Sequence, residues 1–198
     1  GDSAVYLKRI AETATRMRKL IDALLTYSRS KRGEKHFEKK DLNILLNEVK
    51  NQLQEEIEKK KAVIISNDLG EANVIPFQIC QLLDNLVCNS LKFSKPGVAP
   101  RIVIKRKIVP GSSLKNLKLP SKEDFIHIRY ADNGIGFESK YNERIFEVFQ
   151  RLHSYESYKG TGIGLAICKR IVNNHNGMIT ASGKKNKGAT FDIYIPVA

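Results

Sequence analysis

The feature that most restricts the fold of this chain is a helical pattern between Pro76 and Lys92 that is apolar except along one face. Pro76 suits the first turn of a helix, and leucine, isoleucine and valine then recur at helical spacing. Asn85, Asn89 and Lys92 share the remaining face. Buried amides and amines need polar partners, so this face indicates a binding site more strongly than structural hydrogen bonding. Amide oxygens suit Mg²⁺, and a lysine one turn away can neutralise a phosphate.

Two glycine-containing segments indicate places where the backbone approaches a ligand closely. The segment Asp132 to Gly136 directly follows a predicted strand and places a carboxylate at its end, although its first three residues are also typical of a simple turn. The segment Gly160 to Ala166 alternates three glycines as it enters a helix, where exposed N–H groups favour phosphate. This second segment lacks the dinucleotide pattern G-x-G-x-x-G, and the sequence has no P-loop.

The order of the predicted elements indicates a two-layer α/β sandwich that begins at about residue 37 and is preceded by one long amphipathic helix. Strands are predicted at 62–68, 101–109, 124–131, 178–182 and 189–196, and helices at 6–30, 41–53, 76–92 and 162–176. The first of these helices has a single apolar seam, so it requires a partner helix within the chain or in a second chain.

The charge of the chain is strongly positive, because 34 lysines and arginines against 21 acidic residues give a formal charge of +13. Nucleic acid, an anionic membrane surface, a polyanionic cofactor and an acidic protein are therefore all candidate partners. The basic excess is spread along the sequence, and its basic runs lack interleaved aromatic residues. We therefore expect no nucleic-acid partner and keep a basic nucleic-acid-binding module only as a less favoured alternative.

Apolar runs and cysteines indicate the compartment of such a chain. No run reaches the roughly 18–20 apolar residues that cross a bilayer, and the first residues lack a secretory pattern. We therefore expect a soluble, cytoplasmic chain without a membrane segment. Cys80, Cys88 and Cys168 have apolar neighbours and no metal-ligand spacing, so they are predicted to be buried free thiols.

Four segments, taken in order, resemble the catalytic ATP-binding domain of the sensor histidine kinases of two-component systems, which has the Bergerat-type ATPase fold. They are 84–94, similar to the family's N box, 132–137 and 160–166, similar to its two glycine boxes, and 145–153, similar to its F box. The segment Gly188 to Phe191 resembles the closing strand. The resemblance covers about residues 37–198, and residues 1–33 look like the second helix of the family's dimerisation and phosphotransfer hairpin.

This resemblance implies a protein-histidine kinase. The domain would bind ATP and Mg²⁺ and transfer the γ-phosphoryl group to a histidine on the other hairpin helix, for relay to the receiver domain of a response regulator. The parent protein would form a homodimer through its hairpin helices. Because that histidine belongs to a helix that this sequence does not contain, the chain alone is expected to bind ATP without phosphorylating itself. The family's setting for the phosphoacceptor is not matched by His36, His127, His153 or His175.

The resemblance also assigns residues to the nucleotide. They are Asn85, Asn89, Lys92, Phe93, Asp132, Gly134, Gly136, Arg151, Gly160, Thr161, Gly162, Gly164, Leu165 and Thr190. Asn89 would coordinate Mg²⁺, with Asn85 one turn back to assist. Lys92 and Arg151 would act on the phosphates. Asp132 would accept the exocyclic amine of adenine, where guanine presents an oxygen that would face the carboxylate unpaired.

Two further roles are implied by the same resemblance. Gly134 and Gly136 would give the adenine room, and N–H groups of the second glycine box would face the phosphates. Residues 137–160 would form a mobile lid over the nucleotide, anchored by Phe146 and Phe149.

Other ATPases of the same fold are the alternative within this resemblance. Mismatch-repair, topoisomerase and heat-shock chaperone ATPases place a glutamate where Asn85 stands when they activate water, and generally lack the segment 145–152. Anti-sigma kinases are a further alternative. One departure from the kinase pattern is Ser90, which replaces the alanine usual after the N-box asparagine, a small-for-small change that should be tolerated.

Overall fold

A mixed five-stranded sheet is the centre of the protein in the computed structural model, which describes residues 36–114, 117, 119–150, 152 and 161–197. In chain order the strands are β1 (Glu38–Asp41), β2 (Val63–Ser66), β3 (Glu71–Val74), β4 (Arg101–Pro110), β5 (Asp124–Asp132), β6 (Met178–Lys184) and β7 (Gly188–Pro196). The main sheet has the order β2-β4-β5-β7-β6, and β1 pairs with β3 in a second, small sheet. In the main sheet only β2 and β4 are parallel neighbours, so most of the sheet is antiparallel.

Four α-helices accompany the sheets within the described residues. They are α1 (Leu42–Gln52), α2 (Gln54–Lys59), α3 (Pro76–Lys92) and α4 (Gly164–Asn174), with short 3₁₀ turns at Gly111–Ser113, Ser139–Tyr141 and Arg144–Phe146. Asp41 caps α1 as predicted, since its side chain accepts the backbone N–H of Asn43 at 2.8 Å. Proline occupies the first turn of α3, also as predicted.

The hydrophobic core lies between the helices and one face of the main sheet. Strand β4 shows the alternation, because Ile102 and Ile104 are fully buried whereas Arg101 and Lys105 are exposed. Helices α3 and α4 pack against each other and contribute the buried apolar stripes that helical periodicity predicted. One layer of helices on one sheet confirms the predicted two-layer α/β sandwich.

The small sheet of β1 and β3 was not predicted from the sequence. β1 reads Glu-Lys-Lys-Asp, and each strand has only four residues, too few for a clear apolar alternation. The strands are defined by their pairing instead, and an ion pair of 2.7 Å joins Lys39 Nζ and Glu71 Oε2 across them.

The charged residues after α1 form a helix that the sequence did not predict. They continue as α2, which buries no residue and is supported by a hydrogen bond of 2.8 Å between Gln54 and Glu58.

The three cysteines are free, as predicted, but only Cys168 is buried. Cys80 Sγ lies 3.5 Å from Glu48 Oε2, and Cys88 Sγ lies 3.7 Å from Asp84 Oδ1. Partial burial and these carboxylates raise the pKa of Cys80 to about 11 and that of Cys88 to about 12, so both are protonated thiols near neutral pH. The prediction of burial is wrong for these two because apolar sequence neighbours on a helix point to other faces.

Several predicted features lie outside the described residues. They include the helix at 6–30 with its homodimer contact, the second half of the predicted lid, and Arg151, His153 and Gly160. Among the helices that the structure describes, none combines the length and the apolar character needed to cross a membrane.

Candidate functional site

Asn85, Asn89 and Lys92 form a polar stripe on α3, and its two asparagines lie beside the beginning of α4. Asn85 Nδ2 donates to the carbonyl oxygen of Gln81 at 2.9 Å, and Asn85 Oδ1 is turned toward α4. A Cβ atom added at Gly164 would lie 2.9 Å from Asn85 Oδ1 and 4.0 Å from Asn89 Nδ2. Both asparagines therefore lie beside the glycine that begins α4, and a larger residue there would press on Asn85.

The first turn of α4 has the features of an anion site. Ile163, at the N-cap position, provides no side-chain hydrogen bond, and the turn holds no acidic residue. The preceding Thr161 and Gly162 are half-buried, and Gly162 has a φ of +76°, which glycine adopts without strain. The backbone N–H groups at Gly164 and Leu165 thus receive no cap from the N-cap side chain, and the helix dipole adds partial positive charge there.

The carboxylate of Asp132 lies at the end of β5, where three hydrogen bonds fix it. Oδ1 accepts the backbone N–H groups of Gly134 at 2.8 Å and of Ala189 at 3.2 Å. Oδ2 accepts the hydroxyl of Ser90 at 3.1 Å. The carboxylate is therefore held from β7, from its own turn and from α3 at once.

The sequence did not predict the hydrogen bonds that Ser90 makes with Tyr130 and Asp132. Ser90 Oγ lies 2.9 Å from Tyr130 Oη as well as near Asp132, so the hydroxyl joins helix and sheet. The available signal was a hydroxyl directly after Asn89, among the buried residues of the helix. It was interpreted only as a tolerated replacement for alanine.

Burial raises the pKa of the Asp132 carboxyl above its ordinary value. The hydrogen bonds from Gly134, Ala189 and Ser90 and the positive charge of Lys95 oppose this effect without reversing it. An ionised Asp132 therefore costs folding stability, which is typical of a group kept for recognition.

Gly134 and Gly136 have different roles. A Cβ atom at Gly134 would lie 2.7 Å from the carbonyl oxygen of Phe93, so glycine lets the turn after β5 approach the end of α3. A Cβ atom at Gly136 would overlap the carbonyl oxygen of Lys184 and lie 2.6 Å from that of Gly188. Gly136, predicted to make room for adenine, is thus explained by backbone packing, because its φ of +61° turns it against the β6–β7 hairpin.

Other predicted residues lie around the same strand end. Lys92 Nζ lies 4.5 Å from the centroid of the Phe93 ring. The carbonyl oxygen of Phe93 accepts the backbone N–H of Ile135 at 2.9 Å. Thr190, half-buried on β7, pairs with Ala131 of β5. The end of α3, the turn after β5 and the start of β7 therefore meet here.

The segment 137–150 is anchored to the core differently from the prediction. Phe146 is buried, as expected of an anchor. Phe149, the second predicted anchor, is 53% exposed and has a φ of +65°, so this prediction is wrong. The left-handed backbone turns the Phe149 side chain toward solvent, whereas Val148 and Leu152 pack against the core.

Replacing Phe146 with leucine is expected to lower the free energy of unfolding by about 1 kcal/mol, since a buried ring is exchanged for a smaller apolar group. The ring also loses its edge-on contact with Phe191, whose centroid lies 6.5 Å away. The matched variant Phe149→Leu should change the unfolding free energy by less than about 0.5 kcal/mol. Urea unfolding of both variants measures the difference, and equal destabilisation would contradict the assignment of Phe146, rather than Phe149, as an anchor.

Two histidines are engaged in hydrogen bonds of the fold. His127 Nε2 lies 2.7 Å from Asp192 Oδ1. His175 is 2% exposed, and its Nε2 accepts the backbone N–H of Ile75 at 3.0 Å while Nδ1 donates to the carbonyl oxygen of Ile171 at 2.8 Å. His175 therefore holds the start of α3 against the end of α4.

A metal ion would depend on amide oxygens at this site. Within the described residues no group of three or more histidine, cysteine, aspartate or glutamate side chains could hold a metal ion. The donors on the stripe are the amides of Asn85 and Asn89. Mg²⁺ binds few protein ligands and keeps water or phosphate oxygens, so this donor set fits a cation that is bound together with phosphates.

The fold and the site define the class of α/β ATPase domains, in which a helix-covered, mostly antiparallel sheet carries glycine turns at one end. The chain belongs to the family of histidine kinase-, DNA gyrase B- and HSP90-like ATPases, which it matches over residues 75–198.

Among curated relatives, the chain is similar to cyanobacterial phytochrome A of Nostoc sp., with 32% identity over 197 residues. The match covers 100% of this chain and 24% of that protein, so the chain spans about a quarter of this relative's length.

Solved structures similar to the chain include histidine kinases. The catalytic domain of ThkA, without nucleotide, is 26% identical with a TM-score of 0.62, over 82% of this chain and 98% of that one. Full-length ShkA in complex with AMPPNP is 22% identical with a TM-score of 0.73, over 100% of this chain and 39% of that one. ThkA in complex with the response regulator TrrA is 22% identical with a TM-score of 0.68, over 98% of this chain and 51% of that one. These structures confirm the predicted resemblance to histidine kinase catalytic domains.

Proposed function

We propose that the chain binds Mg·ATP between the end of β5 and the start of α4, as the catalytic domain of a sensor histidine kinase. One observation carries the proposal: α3 contacts both ends of the site. Its Ser90 donates to Asp132, and its Asn85 lies against Gly164 at the start of α4. The two positions are five residues apart, or about 7.5 Å along the helix axis. A nucleotide lying along α3 would meet a carboxylate at one end and helix N–H groups at the other.

Adenine is the base that fits the Asp132 end. The carboxylate accepts an N–H donor, and the exocyclic amine of adenine supplies one. Guanine would present a carbonyl oxygen to the same carboxylate, leaving two acceptors facing each other. Phe93 and Gly134, in contact at the end of α3, would line this end of the site, with Thr190 beside them on β7.

The phosphates fit the α4 end. N–H groups of the first turn of α4 and the Lys92 ammonium would neutralise them, with Asn89 and Asn85 holding Mg²⁺ through amide oxygens. When bound, Mg²⁺ supplies charge neutralisation for phosphoryl transfer. Arg151, Gly160 and Thr161 remain part of the proposed phosphate site.

The proposed reaction is transfer of the γ-phosphoryl group to a histidine imidazole. A nitrogen–phosphorus bond forms as the bond to the bridging oxygen breaks, ADP leaves, and the imidazole loses a proton. The domain would contribute by positioning, because its site residues are amides, cations and backbone N–H groups rather than a base. We assign residues 37–198 to this domain and 1–33 to the second helix of a hairpin that carries the acceptor and joins two subunits in a homodimer, in the cytoplasm.

The partner proposed for the phosphorylated histidine is the receiver domain of a response regulator. The structure of ThkA with TrrA supports a partner of this kind for a protein with this fold. Acid-labile label on histidine after incubation of a hairpin-containing protein with γ-labelled ATP, followed by its passage to a receiver domain, is the test of this reaction. Label that stays on serine or threonine would overturn it.

ATP hydrolysis is the alternative within the family, whose members include gyrase B- and HSP90-like ATPases. Asn85 argues against it, because a neutral amide cannot take a proton from water as a glutamate does. Its Nδ2 is moreover engaged with the Gln81 carbonyl oxygen. Release of phosphate without an acceptor histidine should therefore stay near the rate without protein.

Asn89→Ala is expected to weaken ATP binding about tenfold in Mg²⁺ and to leave it unchanged in EDTA, since the side chain acts through the metal. Isothermal titration with ATP and GTP, each with and without Mg²⁺, measures this and the base preference. Asn51→Ala, at an exposed position of α1, is the matched control and should behave as the parent chain. Equal affinity for ATP and GTP, or an equal loss with and without metal, would contradict the site assignment.

A further inference from the structure

A buried chain of hydroxyl groups lies behind the Asp132 carboxylate. Tyr130 Oη is 2.9 Å from Ser90 Oγ, and Ser90 Oγ is 3.1 Å from Asp132 Oδ2. Tyr130 is 0% exposed and Ser90 is 3% exposed. Both hydroxyls are therefore shielded from bulk water, and each must satisfy its hydrogen-bonding capacity within the protein.

The directions of these two hydrogen bonds follow from chemistry. An ionised carboxylate can only accept, so the hydroxyl of Ser90 donates to Asp132. The single hydrogen of Ser90 is then used, so the hydroxyl of Tyr130 donates to Ser90. Burial raises the pKa of Tyr130 well above its ordinary value, which keeps that phenol protonated. The relay runs in one direction, from Tyr130 through Ser90 to Asp132.

The relay leaves one acceptor position of the carboxylate open. Oδ1 already accepts two backbone N–H groups, from Gly134 and Ala189. Oδ2 accepts Ser90 and, with two lone pairs in the carboxylate plane, retains room for one more donor. Because Oδ1 and Oδ2 are both held, the carboxylate plane is fixed and the open lone pair has a defined direction.

We propose that Ser90 and Tyr130 are positioning residues for base recognition, which aim the open lone pair of Asp132 at an exocyclic amine of a purine. This inference rests on the proposed ATP site and deepens it, because it assigns selectivity to residues that do not touch the base. A protein with alanine in place of Ser90 would keep the carboxylate but lose the bond that fixes Oδ2. Its Asp132 would rotate, and the amine would gain less from it.

A purely structural role for the hydroxyl pair predicts a different result. Loss of packing around α3 would weaken every nucleotide equally, whether or not its base carries an amine. The coupling between the hydroxyls and the amine is therefore the quantity to measure, as in a double-mutant cycle. ATP and purine riboside triphosphate, which has hydrogen in place of the amine, supply the two ligands.

The experiment is isothermal titration of the full chain and its variants with both nucleotides in Mg²⁺. Ser90→Ala should bind ATP about tenfold more weakly and the amine-free analogue within about twofold of the parent chain. Tyr130→Phe keeps the ring and removes only the far donor, so its loss should be about threefold and again confined to ATP. Thermal melting shows whether each variant is folded. If Ser90→Ala does not fold, Tyr130→Phe alone tests the inference.

Two controls match these substitutions. Ser113→Ala removes a hydroxyl that donates to the carbonyl oxygen of Pro110, and Tyr194→Phe alters a tyrosine that stacks on His127. Neither should change either affinity. An equal loss for both nucleotides in a folded Ser90→Ala or Tyr130→Phe variant, or no loss at all, would overturn the inference. Failure of the unmodified chain to bind ATP would instead overturn the proposed function.

Discussion

Asp132→Asn is expected to weaken ATP binding by about 100-fold while the protein remains folded. Oδ1 of the carboxylate accepts the backbone N–H groups of Gly134 and Ala189, and Oδ2 accepts Ser90. In the proposed complex Oδ2 also accepts the amine of the base. Asparagine has a single oxygen, so one of these two sets of donors must face an NH₂ group whichever way the amide is turned.

The stability of the same variant should move in the opposite direction. The pKa of Asp132 is raised in the folded state by burial, so the folded protein binds this proton more tightly than the unfolded chain does. The stabilisation that the Asp132 carboxyl contributes is therefore fully present below its pKa in the unfolded chain. It is lost as the pH rises through its pKa in the folded protein. At neutral pH the neutral amide avoids that cost, and the nucleotide-free variant should melt at the same temperature as the parent chain or higher.

Titration calorimetry and thermal melting at neutral pH measure the two effects together. Asp124→Asn, at the exposed other end of β5, is the matched control and should alter neither ATP affinity nor melting temperature. A variant that binds ATP as tightly as the parent chain would exclude Asp132 as the base-recognising group. A large fall in melting temperature would show instead that the carboxylate is mainly structural.

Gly136→Ala is expected to destabilise the fold by roughly 3–4 kcal/mol, enough to unfold a large fraction of a marginally stable domain. The added methyl group would overlap the carbonyl oxygen of Lys184 and lie 2.6 Å from that of Gly188. Both neighbours are backbone atoms of the β6–β7 hairpin, which cannot turn aside as a flexible side chain would. The φ of +61° adds a conformational cost for any residue with a Cβ atom.

Gly97→Ala separates these two contributions. Gly97 also has a left-handed backbone, with a φ of +73°, but no atom lies within 4 Å of its added Cβ. Its replacement should cost only about 1 kcal/mol, from backbone conformation alone. Urea unfolding of both variants gives the comparison, and similar losses would show that the hairpin yields to the methyl group.

The fold was predictable where periodicity is local and long. α3 and α4 follow from apolar residues at helical spacing over 17 and 11 residues. The small sheet was not predictable, because β1 and β3 are four-residue strands that exist through pairing with each other. α2 was missed for a similar reason, since a helix that buries no residue has no apolar stripe to detect.

The candidate site was predictable in its polar stripe and its glycine turns, and less so in its internal contacts. Ser90 and Tyr130 are 40 residues apart, so no local sequence pattern predicts their hydrogen bond. Phe149 looked like an anchor because aromatic residues usually are, but its backbone conformation, which residue type does not indicate, turns it outward. The sequence signal of Gly136 was read as space for a ligand, although tight backbone packing requires the same residue.

The β6–β7 hairpin supports the turn after β5 through two separate contacts. Ala189 donates its N–H to Asp132, and the hairpin backbone leaves no space for a side chain at Gly136. During synthesis on a ribosome, Asp132 therefore lacks its native environment until residues beyond 189 have emerged and β7 has docked beside β5. ATP could not stabilise a partly made domain through the proposed site, because the stabilisation that a bound ligand gives by mass action would require β7 to be in place. Nucleotide binding at the proposed site would thus depend on the docking of β7 beside β5.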